Sequence, residues 1–183
     1  MTAGAFYKPK KSKTKPLGED AHFICDEQQT IGVADGVGGW AKHARNLMEN
    51  AIGATQKQPK GNVDPKKVLV EAFQNNYAKG SSTVCIITLK DNYLHALNLG
   101  DSGFRSAEEI FVPVEAGDMI VAATDGNLAS LAVAVSRCKH VVSPFTVAAV
   151  EAGFDCEAYK GGKYDDVTVV VAYISSDDPM EID

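Results

Sequence analysis

The chain has no apolar run near the roughly 18 residues that would mark a membrane-spanning helix, so no membrane association is expected. It has no C-x-x-C pair. Its four cysteines, Cys25, Cys85, Cys138 and Cys156, are widely spaced, which argues against a zinc site. Three of them lie in apolar stretches, as expected of reduced, buried thiols in an intracellular protein. The N-terminal stretch MTAGAFYKPKKSKTKP lacks the apolar centre of a secretory signal and the Arg-rich pattern of an organelle leader. The compartment, cytoplasm or organelle, therefore stays open. Basic residues are in the minority, 18 against 24 acidic, and the formal net charge of -6 argues against a nucleic-acid binder. Tryptophan occurs once, at Trp40, and is expected in the core.

What remains is ordinary globular material. The chain has 183 residues, 45% hydrophobic and 23% charged, which suits one domain with a core of its own. A lysine run (Lys8, Lys10, Lys11, Lys13, Lys15) sets residues 1–17 apart as a basic arm. That arm is either a solvated tail or a patch that attracts phosphorylated substrate. Residues 175–183 form an acidic tail, leaving residues 18–174 as the domain. Short β-branched or aromatic runs predict strands at about 21–25, 30–35, 83–89, 92–99, 110–114, 118–124 and 167–174, with a hairpin turn at Lys90–Asp91. Apolar residues at helical spacing predict one helix from Trp40 to Ile52. A second begins at the Asp64–Pro65 cap. Further helices are expected after Asn127 and after Ser143–Pro144. Strands and helices in this order favour an α+β class, with helices packed on largely antiparallel sheet.

The informative residues are the acids. Asp35 closes a strand in TIGVADGVGGW, Asp101 in LHALNLGDSGF and Asp125 in MIVAATDGN. Glu19 and Asp20 open a strand in LGEDAHFIC, and Asp165 and Asp166 open one in KYDDVTVVV. A lone Asp-Gly is an ordinary turn former. Carboxylates at five strand ends are a different matter if those ends converge, because like charges a few ångströms apart raise one another's pKa and destabilise the fold. Hard divalent cations, which prefer oxygen ligands, resolve that conflict.

In order, GEDAHF, ADGVGGW, GSSTVCIITL, LNLGDSGF, ATDG and KYDDVTVVV resemble the motifs of the metal-dependent protein phosphatases of the 2C type, most closely the organellar branch that carries DGVGGW. The resemblance runs from about Gly18 to Ile174. It implies a layered β-sandwich flanked by helices, here abbreviated, and a serine/threonine phosphatase that uses two Mg²⁺ or Mn²⁺ ions to activate water against a phosphorylated protein. By motif matching, Asp35 would bridge the two metals and the Gly36 carbonyl would ligate one. Asp125 and Asp165 would complete the coordination of the second metal, Asp20 with Glu19 would act through metal-bound waters, and Asp101 would be the weaker ligand that helps hold a third metal. Asp35, Asp125 and Asp165 are thus the expected catalytic set, Asp165 being preferred over the adjacent Asp166.

The chain departs from that pattern in four places. Val37 stands where many members have a histidine that can protonate the leaving group. No arginine precedes Glu19 to grip phosphate, leaving Lys13 or Lys15 as substitutes. Only Phe104–Glu109 occupy the place of a substrate flap. The segments after Trp40 and after Asp125–Gly126 are short. These gaps keep a second reading open, a weak or inactive relative that binds partners as a regulator. The composition is silent on oligomeric state. Ser81, Ser82 and Thr83 are expected to be strand-entry hydrogen bonders, His22 and His95 core or surface imidazoles, and His43 either a core residue or a proton donor.

Overall fold

The computed structural model describes residues 1–10, 16–100, 108–124 and 165–175. Among these residues, eight strands and two α-helices follow one another as β1 (Thr2–Lys8), β2 (Asp20–Cys25), β3 (Thr30–Asp35), α1 (Ala41–Gln56), α2 (Pro65–Gln74), β4 (Val84–Lys90), β5 (Tyr93–Leu99), β6 (Glu108–Pro113), β7 (Met119–Ala123) and β8 (Val167–Tyr173). Every pairing between these strands is antiparallel. They form a five-stranded sheet, β2-β3-β4-β5-β6, and a three-stranded sheet, β1-β8-β7.

Two apolar layers hold these parts together. Phe23, Cys25, Ala34, Val84 and Ile86 on one face of the large sheet pack against Ala44, Leu47, Met48 and Ala51 of α1 and Val68 and Ala72 of α2. On the other face, Ile31, Val33, Cys85, Ile87, Leu94 and Ala96 meet Ile120, Ala122, Val170 and Ala172 of the small sheet. Successive side chains of a strand point to opposite faces, so β3 and β4 supply both layers, which is why they read as unbroken apolar runs. Between the sheets, burial pushes the Cys85 thiol up to about 12, where it carries no thiolate at neutral pH.

The helices begin where the sequence says. Asp64 accepts hydrogen bonds from the amides of Lys66 and Lys67, with Pro65 at the first helical position. The hairpin turn lies one residue later than expected, at Asp91–Asn92, with Asp91 in the left-handed region (φ 51°). The strand expected at 110–114 starts earlier, at Glu108, so Glu108 and Glu109 of the expected flap belong to β6. The basic arm over residues 1–17 also needs correction, because Thr2–Lys8 form β1 and pair with β8 along their whole length. Gly4 and three alanine or lysine neighbours give this stretch little intrinsic strand preference; the ladder offered by β8 supplies it instead. The helices expected after Asn127 and Ser143, along with Cys138 and Cys156, lie outside the described residues.

Candidate metal centre

The antiparallel register gathers acids at one end of the sandwich. β2 begins and β3 ends there, making Asp20 and Asp35 direct cross-strand partners. Asp35 extends the inward row of Ile31 and Val33, so both carboxylates of the pair face the small sheet. On that sheet, Thr124 follows Ile120 and Ala122, and Thr168 precedes Val170 and Ala172, on the inward rows of β7 and β8. The rows meet where apolar residues run out. Asp20 Oδ2 accepts hydrogen bonds from Thr124 Oγ1 and Thr168 Oγ1, each at 2.7 Å. Asp20 is 3% exposed, and a buried carboxylate needs such donors. Burial raises its pKa to about 7. The two hydroxyls oppose that rise, while Asp35 and Asp166 add to it.

The Glu19–Asp20 segment is fixed from several directions. Asp166, almost fully buried, accepts from the Glu19 amide through Oδ2 (2.6 Å) and from the Lys10 amide through Oδ1 (2.6 Å). Gly18 sits at φ +64°, and a side chain there would run into Tyr7 and Asp166. Arg45 Nη2 donates to the carbonyls of Leu17 and Gly18 at 3.0 and 2.7 Å, and the Tyr7 hydroxyl donates to Leu17 O at 2.5 Å. Burial holds the Tyr7 phenol above its usual range.

Asp165 plays a different part from its neighbour. Its Oδ1 accepts from Lys10 Nζ at 2.8 Å, and the same ammonium lies 3.6 Å from Glu19 Oε2. The hydrogen bond to Asp165 raises the Lys10 pKa. Lys10 thus places a cation between Asp165, an expected metal ligand, and Glu19, expected to act through metal-bound waters. Hard oxygen donors around an ammonium, backed by a buried and proton-hungry Asp20, fit a Mg²⁺ or Mn²⁺ ion. Among the described residues, however, no three acids, histidines or cysteines converge closely enough to hold a metal by themselves. Asp101 and Asp125 lie outside the described residues, as do Lys13 and Lys15.

Gly36 is forced by a close approach. Its amide donates to Glu19 O (3.1 Å), and a Cβ would stand 2.9 Å from both Glu19 O and Trp40 O. Opposite, Thr83 N donates to Asp35 O (2.9 Å), and Thr83 Oγ1 accepts from Asp35 N (3.2 Å), the strand-entry role expected of it. Trp40 is not a core residue. It is 47% exposed and lies over Gly80, where a Cβ would come within 2.6 Å of it. His43 is buried, with Nδ1 2.8 Å from Ala78 O, tying α1 to the loop after α2. His22 is exposed on β2, and His95 pairs with Glu109 at 2.6 Å and stacks on Phe111. Sequence reasoning missed Lys10, Tyr7, Arg45, Thr124 and Thr168 as parts of this end. Of these, only the Thr124–Asp125 and Asp166–Thr168 adjacencies carried any local signal.

No protein-family model matches the chain. Two curated Arabidopsis thaliana proteins do. "Probable protein phosphatase 2C 80" is 38% identical over 247 residues, covering 96% of this chain and 59% of its own length. "Probable protein phosphatase 2C 55" is 36% identical, covering 96% and 52%. The chain is similar to 2C-type protein phosphatases over most of its length. It spans about half the length of these relatives, and an alignment of 247 positions against 183 residues means that the chain lacks internal segments the first relative has. The fold agrees. The catalytic domain of the serine/threonine phosphatase PstP, solved in complex with 2 manganese ions, superposes with a TM-score of 0.61 at 15% identity, covering 96% of this chain and 98% of that one.

Proposed function

We propose that the chain is a metal-dependent phosphatase acting on phosphoserine and phosphothreonine in proteins. The observation that carries this reading is the pairing of Asp20 with Asp35 at the end of the sandwich, beside a cation held between Glu19 and Asp165. The similarity to 2C-type phosphatases supports it, and the relatives' printed names favour an enzyme over a partner-binding regulator. Asp35, the Gly36 carbonyl, Asp125 and Asp165 would hold the metals, with Asp20 and Asp101 in supporting positions. When bound, two Mg²⁺ or Mn²⁺ ions supply charge neutralisation at phosphorus and a nucleophile at neutral pH.

The chain's own residues do the rest. Asp166 ties the Lys10 and Glu19 amides to β8 and so fixes the distance between the sheets at this end. Thr124 and Thr168 orient Asp20. Asp165 rather than Asp166 is the reading for the ligand, because both Asp166 oxygens are already engaged by backbone amides. Val37, 49% exposed in the turn after Asp35, offers no proton to a leaving alkoxide. General-acid help is typically worth about 10²–10⁴-fold, so a substrate with an acidic leaving group should be favoured. The test is Mn²⁺-dependent turnover of p-nitrophenyl phosphate and of a phosphothreonine peptide, with Asp35→Asn as control. Turnover that needs Mn²⁺, disappears in the variant and prefers the aryl ester is expected. No phosphate release from either substrate at any Mn²⁺ concentration would overturn the reading.

A further inference from the structure

The surroundings of Lys10 carry a consequence for how this end of the molecule takes up metal. Its amide is pinned by Asp166 Oδ1 at 2.6 Å, so the side chain starts from a fixed point at the end of β1. The ammonium then reaches Asp165 at 2.8 Å and Glu19 at 3.6 Å. Those two carboxylates are only 13% and 9% exposed, whereas the lysine side chain is 29% exposed. An ordinary surface ion pair contributes little. This one brings a cation among nearly buried acids, where interactions between charges are stronger.

We infer that Lys10 is a tethered competitor for the metal site: it neutralises the Glu19–Asp165 side when no divalent cation is bound and must leave when one arrives. This rests on the metal reading above and goes beyond it. An ammonium at 2.8 Å from an Asp165 oxygen and a divalent ion on the same carboxylate repel each other at close range. Entry of metal therefore includes the cost of breaking both contacts. The partial exposure of Lys10 gives the ammonium a route to solvent while its amide stays anchored. Two properties follow. The metal-free fold is more stable than its acids alone would allow, and the metal affinity is held below what the same carboxylates could reach.

The experiment is calorimetric titration of the full chain with Mn²⁺, comparing wild type, Lys10→Gln and Lys10→Met, with Lys8→Gln as a control that removes the same charge two residues away. Lys10→Arg, which keeps the charge, tests rescue. The Gln and Met variants should bind Mn²⁺ roughly tenfold or more tightly than wild type, Lys8→Gln should change affinity little, and Lys10→Arg should return to the wild-type value. Wild type that binds while Lys10→Gln and Lys10→Met bind no more tightly would overturn the inference and leave the metal reading standing. No Mn²⁺ binding by any of the five proteins would overturn both. The two Lys10 substitutions differ in polarity but share the lost charge, so a misfolded Gln variant still leaves a decisive measurement in the Met variant.

Discussion

Two corners of the acidic end hold their charges in different ways. At the β2–β3 corner, Asp20 faces Asp35 across the ladder with two threonine hydroxyls bonding it among the described residues, and its pKa is raised to about 7. At the β1–β8 corner, Asp165 has an ammonium and Asp166 has two backbone amides. One corner relieves repulsion by binding a proton, the other by binding a lysine. A divalent cation offers both the same remedy, and this is the physical reason for reading the two corners as one site.

The largest expected break in that comparison is Asp35→Asn. Loss of the proposed shared ligand should lower Mn²⁺-dependent turnover by more than the roughly 100-fold that outer partners of metal sites typically cost. The same change removes a charge facing Asp20, so the metal-free protein should unfold no more easily than wild type, as thermal scans would show. Next in size is Asp166→Ala. It strands the amides of Glu19 and Lys10 and should cost about 2–4 kcal/mol in urea unfolding. Asp165→Ala, which frees one partly exposed ammonium, should cost less than half as much.

The pH dependence sharpens the contrast. Asp20 has a folded pKa near 7 against an ordinary 3.8, so between those values the folded state holds a proton that the unfolded state has released. Stability of the metal-free protein should therefore fall as pH rises from about 4 to about 7. Excess Mn²⁺ should flatten that slope, measurable as melting temperature against pH with and without metal. Another small effect is that of Thr168→Val. It removes one donor to Asp20 and should cost about 1–2 kcal/mol in urea unfolding at pH 8, and less at pH 5, where Asp20 is protonated.

Much of this was legible in the sequence for a definite reason. Strands buried on one or both faces write their burial into residue choice, so β2 to β8 were located to within a residue or two. The strand-end acids stood out because each interrupts an apolar run of the sequence. What failed to show was whatever depends on a distant partner. β1 has weak strand preference and exists through β8, so its residues read as a tail. Lys10 was one lysine among several until the fold carried it to Asp165. Trp40 looked like core because large aromatics usually are, but its resting place is the bare backbone of Gly80, forty residues on. The preference for Asp165 over its neighbour Asp166 came from motif matching alone. Only the backbone amides that approach Asp166 separate a clamp from a candidate ligand.

The most direct measurement is anomalous diffraction at the manganese edge from crystals of the chain grown with Mn²⁺. The account predicts a peak in direct contact with both Asp35 and Asp165, with the Lys10 ammonium moved off the carboxylates it touches here. A well-ordered end of the sandwich with no manganese on either aspartate would contradict it.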